Sequence, residues 1–345
     1  MKTIVEKLVL VLCTFIFIFG SAELFCRFFV PEELPIRFEQ DKAELQQMDL
    51  SQLASVLAPD DLLFWRLKPE QHLPENSWPF FGLISNGQGI REDTFISLVK
   101  PARELRILFL GDSCTFGYGV RHTETFVALL QRNLNKKKRL SGIKCINAGV
   151  PGYSAFQGRR YYETEGYRFA PDLVVACFGW NDGSVWDDMS DFEHDRLRME
   201  MLPPRGLRWS RLCHLVMKRL AVTQSRSRNG SSRPRLNAME FLETIHQLHA
   251  SVRRDGGEFV LLVWPYRANL FAKDPSVRTI YQKAMYEYAI TTDCPIIDLI
   301  PALQVSAGGA RPDDLFFDQG HATPALHERI ANKILKSLFD AFPDF

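Results

Sequence analysis

From Arg106 onward the chain alternates short apolar runs with longer amphipathic segments. The runs fall at 106–110 (RILFL), 143–147 (IKCIN), 172–178 (DLVVACF), 258–264 (EFVLLVW) and 295–299 (PIIDL). They are nearly all apolar, so each strand they form must be covered on both faces. Between and after them, apolar residues recur at helical spacing over 123–137, 154–166, 236–254, 276–291 and 323–341. In the last stretch Ala325, Leu326, Ile330, Ile334, Leu335 and Leu338 share one face. Strands and helices alternating in this way imply an α/β fold with a parallel sheet between helical layers.

The first run ends at Gly111-Asp112-Ser113. A serine thrown out by a glycine turn at the end of a buried strand is rigidly held and exposed, as a nucleophile must be. Its hydroxyl needs a base, usually an oriented histidine. Of eight histidines, only His321 follows a short acidic loop after the final strand, Asp318-Gln319-Gly320-His321. A carboxylate three residues before the imidazole can fold back and hold its Nδ1–H. Acyl chemistry also needs donors for a developing oxyanion. The loop after the second strand, Asn147 to Ser154, offers the bare backbone N–H of Gly152. The turn after the third, Gly179-Trp180-Asn181-Asp182, offers the Asn181 amide, and the Ser113 N–H is a third donor. All lie at the carboxyl edge of the sheet, where ligand sites of such folds sit.

The GDS at 111–113, Gly152 in its glycine loop, GWND at 179–182 and DQGH at 318–321 resemble the four sequence blocks of the SGNH/GDSL hydrolases. They occur in the family's order across 106–341. The resemblance implies a flavodoxin-like, three-layer α/β/α SGNH hydrolase fold with a five-stranded parallel sheet. It implies Ser113 as nucleophile, His321 as base and Asp318 as its orienter, with Ser113, Gly152 and Asn181 forming the oxyanion hole. No metal and no organic cofactor is expected. The upstream stretch Asn86 to Asp93, NGQGIRED, resembles a segment found before the GDS block in membrane-anchored bacterial members. An α/β-hydrolase is the fold alternative, but Thr115 stands where its G-x-S-x-G elbow needs the last glycine.

Three further segments surround these blocks. Residues 1–30 hold Lys2 and Lys7 before the apolar run LVLVLCTFIFIFG, with Glu23 and Arg27 after it. The basic residues favour a cytoplasmic N-terminus. Gly20-Ser21-Ala22 fits a signal-peptide cleavage site. The amphipathic continuation through Leu24, Phe25, Phe28, Phe29 and Val30 favours an uncleaved signal anchor instead. Either reading places the rest outside the cytoplasm, as a single-pass inner-membrane protein with a periplasmic catalytic domain or as a secreted one. Residues 31–104 read as a polar stalk, to about residue 60, and then a Pro-, Trp- and Phe-rich extension packing on the core. The hydrolase domain is 105–345, interrupted by an insertion over about 184–235 that begins acidic and aromatic and ends in a Ser/Arg/Gly-rich run.

With 42 Lys plus Arg against 41 Asp plus Glu, the net charge of +1 argues against a nucleic-acid partner. The seven cysteines form no CxxC pair, and no disulfide framework is expected. Cys114, beside the nucleophile, reads as a packed residue. Asp112 and Asp182 read as structural acceptors, Glu243, His246 and His249 as a solvated helix face, and His327 as a surface residue. Tyr118, Tyr153, Trp180 and Trp186 flank the site and are candidate substrate contacts. The expected activity is extracytoplasmic ester hydrolysis, removing acyl groups, O-acetyl first, from a carbohydrate. A lipid ester is the nearest alternative substrate. A membrane-anchored polysaccharide O-acetyltransferase, working beside polysaccharide-assembly proteins, would use the same residues. A non-catalytic glycan-binding module would be expected to lack the serine, the histidine or the asparagine.

Overall fold

The computed structural model describes residues 2–30, 55–60, 62–136, 142–185, 189–200, 205–207, 209–225, 233–274, 276–307 and 309–341. Five parallel strands form the central sheet: β3 (Leu105–Gly111), β4 (Ile143–Gly149), β5 (Leu173–Cys177), β6 (Glu258–Val263) and β7 (Ile296–Asp298). Each of the five apolar runs is a strand. Their spatial order is β4-β3-β5-β6-β7. Counted within the sheet this is 2-1-3-4-5, the flavodoxin-like order, whose direction of winding reverses beside the first strand. The crevice at that reversal opens at the carboxyl ends of β3 and β5, where Gly111-Asp112-Ser113 and Gly179-Trp180-Asn181 emerge.

Helices cover the sheet on both sides. Phe126–Lys136 packs with the C-terminal helix Pro324–Ala341, and Ala238–Arg254 packs with Ala155–Thr164 and Ile280–Thr292. Strand residues Val174, Val175, Val260, Leu261 and Leu262 are wholly buried, which is why these runs carry no polar alternation. The expected 276–291 helix starts later, at Ile280, because Thr279 caps it by accepting from the Gln282 N–H. The insertion holds the helices Asp191–Glu200 and Arg211–Ser225. Its Ser/Arg/Gly-rich run lies largely outside the described residues, as do Trp186 and the stalk segment 31–54.

Residues 55–104 lie against the core. The antiparallel pair β1 (Leu57–Asp60) and β2 (Phe64–Leu67) delivers Trp65. That side chain is fully buried, and its Nε1–H donates to the Pro151 carbonyl at 3.0 Å. The Tyr153 hydroxyl donates to the Trp65 carbonyl at 2.9 Å. The Arg91 guanidinium, also fully buried, donates to the carbonyls of Phe116 (2.5 Å), Gly117 (2.7 Å) and Val120 (2.6 Å). A cation suits these carbonyls, which point from a helix C-terminus.

Trp65→Ala should therefore destabilise the protein by about 3–5 kcal/mol, as large-to-small aromatic truncations in cores do. Thermal unfolding of the detergent-solubilised protein would show it, and a melting temperature within a degree of wild type would contradict the packing described.

Candidate active site

The site begins with a close approach between backbones. β3 ends at Gly111, and Asp112 caps the short helix Ser113–Phe116 by accepting from the Cys114 N–H at 2.9 Å. A Cβ on Gly111 would lie 2.0 Å from Thr115 Oγ1, and one on Gly149 would lie 2.4 Å from the Phe116 amide nitrogen. Only glycine at both positions lets this helix sit down on the sheet edge with Ser113 at its start.

From the far end of the sheet the 318–321 loop meets it. Asp318 Oδ1 accepts from the Gly320 and His321 amides, both at 2.8 Å, an Asx-type turn that folds the loop on itself. Its Oδ2 lies 2.5 Å from His321 Nδ1, and His321 Nε2 lies 2.8 Å from Ser113 Oγ. Trp264, following β6, fixes the loop by donating to the Gly320 carbonyl at 2.9 Å. The Tyr118 ring packs on the imidazole with centroids 4.4 Å apart. Burial raises the Asp318 carboxyl, but the hydrogen bond and charge of His321 and the two amides outweigh it and hold the group at about 2. The imidazole thus faces a carboxylate on one nitrogen and a hydroxyl on the other.

Opposite lies the loop after β4, whose successive carbonyls are each held by a different segment. Pro151 O takes Trp65 Nε1, Gly152 O takes Arg235 Nη1 at 2.6 Å, and Tyr153 O takes Asn181 Nδ2 at 3.2 Å. Gly152 itself has φ of 82°, a left-handed conformation that favours glycine. The Ser113 N–H opens its helix and so has no carbonyl partner within it. Among the described residues neither that amide nor the Gly152 N–H has a protein acceptor. The Asn181 amide also donates to Asp112 Oδ2 at 3.2 Å. Burial pushes Asp112 up to about 6 against the Cys114 amide and the His321 charge that favour its ionised form.

Arg235 sequence reasoning missed altogether. Its fully buried guanidinium reaches Gly152 O, Gln157 Oε1 at 2.5 Å and both oxygens of buried Asp191 at 3.0 and 2.8 Å. Asp191 also accepts from the Ser154 hydroxyl at 2.5 Å. No motif marks either residue, although an arginine closing a Ser/Arg-rich run just before an amphipathic helix was visible in the sequence. Asp182 behaves as a structural acceptor, taking the Ala155 and Gly179 amides at 2.8 Å each, and burial raises it to about 7.

The aromatic candidates divide. Tyr118 lies against His321, and half-buried Trp180 packs on Tyr266 with centroids 4.8 Å apart beside Gly320. Tyr153 does not face the site: it is 1% exposed and its hydroxyl is spent on Trp65, so the substrate-contact expectation is corrected. Trp186 lies outside the described residues. Trp78 and Phe317, not anticipated, continue the Tyr118 cluster to the surface, with centroids 5.4 Å apart and exposures of 46% and 38%. Phe317 directly precedes Asp318, which was the available signal. His327 is also corrected. It is buried, held neutral by a burial shift to about 3, and its Nδ1 accepts from the Phe126 amide at 3.2 Å. On the 238–254 helix Glu243 and His246 are exposed, whereas His249 stacks on Phe259 and bonds the Tyr288 hydroxyl.

A family model described as the GDSL-like lipase/acylhydrolase family matches residues 109–329. Among solved structures, an acetyl xylan esterase is 17% identical with a TM-score of 0.47, covering 68% of this chain and 100% of its own. An acetylxylan esterase from Geobacillus stearothermophilus is 18% identical (TM-score 0.47, 69% and 96% covered). A lipase/acylhydrolase from Enterococcus faecalis is 20% identical (TM-score 0.45, 69% and 96% covered). A search of curated proteins finds no match.

Cys114 is 4% exposed, and burial together with the Asp112 carboxylate pushes its thiol well above the usual range. Iodoacetamide at neutral pH should leave it unmodified in the native protein and alkylate it after denaturation. Peptide mass spectrometry checks this, and native labelling at Cys114 would refute the packed environment.

Proposed function

The chain belongs to the GDSL-like lipase/acylhydrolase family and is a hydrolase of ester bonds, and from that premise we propose an extracytoplasmic serine esterase that removes acyl groups, O-acetyl first, from a carbohydrate. The observation that carries the reading is the unbroken line Asp318–His321–Ser113, at 2.5 and 2.8 Å. In this reading His321 Nε2 takes the Ser113 proton as Oγ attacks the acyl carbonyl. Asp318 holds the Nδ1–H and stabilises the imidazolium. The oxyanion is met by the Ser113 and Gly152 amides and by Asn181, one of whose amide hydrogens passes from Tyr153 O or Asp112 to the substrate. The imidazolium returns its proton to the leaving alcohol, and a water activated by the same imidazole frees the acid.

Residues 1–30 serve as an uncleaved anchor, residues 31–104 join it to the core and 105–345 form the hydrolase domain. Two observations favour the anchor. The helix Lys2–Phe29 holds a candidate span, Ile4–Phe29, with an 18-residue stretch of mean hydropathy 2.4, and its residues 4–18 are exposed, as lipid-facing residues would be. Its far end, by contrast, is built into the folded protein: Glu23 is buried and accepts from the Arg211 and Leu212 amides, both at 2.9 Å. The carbohydrate reading rests on exposed Trp78 and Phe317, joined to His321 through buried Tyr118, and on half-buried Trp180, whose flat apolar faces suit a sugar ring.

Ser113→Ala should lower p-nitrophenyl acetate hydrolysis by the full chain by roughly 10³-fold or more, since the residual rate would come only from binding and the oxyanion donors. Undiminished turnover would sink the assignment. Release of acetate from O-acetylated oligosaccharide, measured beside release from a lysophospholipid, decides the substrate class. Arg235→Lys keeps a buried cation beside Asp191 but loses the planar fork that reaches three acceptors. It should lower kcat about ten- to a hundredfold, in line with a displaced oxyanion donor, with KM nearly unchanged. Arg235→Met, which leaves the Asp191 carboxylate buried without a counter-charge, should cost about 3–5 kcal/mol of stability.

A further inference from the structure

The helix Arg211–Ser225 belongs to the insertion, yet it is joined to the N-terminal helix by a set of contacts that the catalytic site does not use. Glu23 accepts from Ser210 Oγ at 2.8 Å and from the Arg211 and Leu212 amides, so a carboxylate of the first helix caps the start of the second. Arg27 pairs with Glu23 at 2.7 Å and donates to the Trp209 carbonyl at 2.8 Å. Arg211 donates back to the Val30 carbonyl at 2.5 Å. Phe19 meets the Trp209 ring edge-on, with centroids 6.2 Å apart.

These contacts have a definite height. A hydrocarbon core of ~30 Å takes about 20 helical residues, and counted from Ile4 that reaches Glu23. Residues 4–18 are exposed all round, while burial begins at Phe19 and is deepest at Glu23 and Cys26. The insertion helix therefore does not run back along the span. Its N-terminal end meets the span at the level where the span leaves the hydrocarbon. On its outer side Trp209, Val216 and Leu220 lie at helical spacing and are 59%, 49% and 55% exposed. This stripe is continuous, through the Phe19–Trp209 contact, with the apolar surface of the span. Exposed tryptophan at such a level suits the headgroup boundary.

We propose that Arg211–Ser225, with Trp209 before it, lies in the outer interface of the phospholipid bilayer that the N-terminal helix crosses. A single span leaves a domain free to tilt and rotate; a span plus an in-plane amphipathic helix fixes one face of the domain to the membrane. The catalytic domain would then work at a constant height above the lipid surface, on substrate presented there. The proposal rests on the N-terminal helix being an uncleaved anchor.

The test uses the full chain in nanodiscs of phosphatidylethanolamine and phosphatidylglycerol, with plain or brominated acyl chains. The emission that distinguishes wild type from Trp209→Phe is the Trp209 contribution, and brominated lipid should quench it by about half or more, as expected for a ring ~5–10 Å into the boundary. Val216→Asp with Leu220→Asp should lessen that quenching while leaving p-nitrophenyl acetate turnover unchanged. Equal Trp209 emission in both lipids, for a chain that carbonate washing does not release, overturns the proposal and spares the anchor. Release by carbonate overturns both.

Discussion

The geometry at Ser113 depends on a peptide loop whose backbone is held by three other segments of the chain. Pro151, Gly152 and Tyr153 present three successive carbonyls, and each is taken by a different segment: Trp65 of the extension, Arg235 of the insertion and Asn181 of the β5 turn. Holding carbonyls outward leaves the Gly152 amide free to turn inward, while the Tyr153 amide closes a turn on the Val150 carbonyl. A peptide fixed this way pays no reorganisation when charge develops beside it, which is the physical basis of oxyanion stabilisation. Arg235 is the centre of that restraint, since one guanidinium reaches the loop, the following helix through Gln157, and Asp191. A planar fork with several donors does this where a flexible ammonium would not.

The same logic explains why the extension and the insertion cannot be treated as appendages to the sheet. Arg91 holds the C-terminal end of the nucleophile helix by three carbonyls, and Trp65 holds the facing loop. The serine therefore stands between two backbone segments, each braced from residues that precede β3 in sequence. Burying Arg91 without a carboxylate is costly. Its pull toward neutrality, to about 9, still leaves it charged at neutral pH, and the three carbonyls and the face of Phe116, 4.3 Å from its guanidinium carbon, are the compensation the structure supplies.

What could be read from the sequence and what could not follow from the range of the interactions. The strands were legible because double-sided burial leaves a local mark: five apolar runs, each bounded by turns. The groups of the proposed site were legible as candidates because Asp318 and His321 are three residues apart and because glycines at 111 and 152 answer local demands. Arg235 and Asp191 were not, because their meaning lies in a contact 44 residues apart and in a loop further still. Tyr153 and His327 were misjudged for a related reason: position beside a site in sequence does not fix which way a ring points. Tyr153 turns into the cleft behind Trp65, and His327 turns inward onto Phe126 and Trp264.

Two carboxylates flank Ser113, and their surroundings separate them. Asp318 is partly exposed and takes two amides and an imidazole, so it stays ionised down to about 2. Asp112 is buried and takes the Cys114 amide and a longer bond from Asn181, and it is raised to about 6. Only Asp318 is a full charge throughout the range in which an imidazole cycles, so under the proposed mechanism it is the one that would stabilise an imidazolium at every working pH. Asp112 has a different effect. When ionised it competes with an oxyanion for the Asn181 amide; when neutral it competes less. In the proposed reaction, the residue that caps the Ser113–Phe116 helix therefore also sets how firmly the Asn181 amide is held in reserve, and its burial weakens that hold toward acid pH.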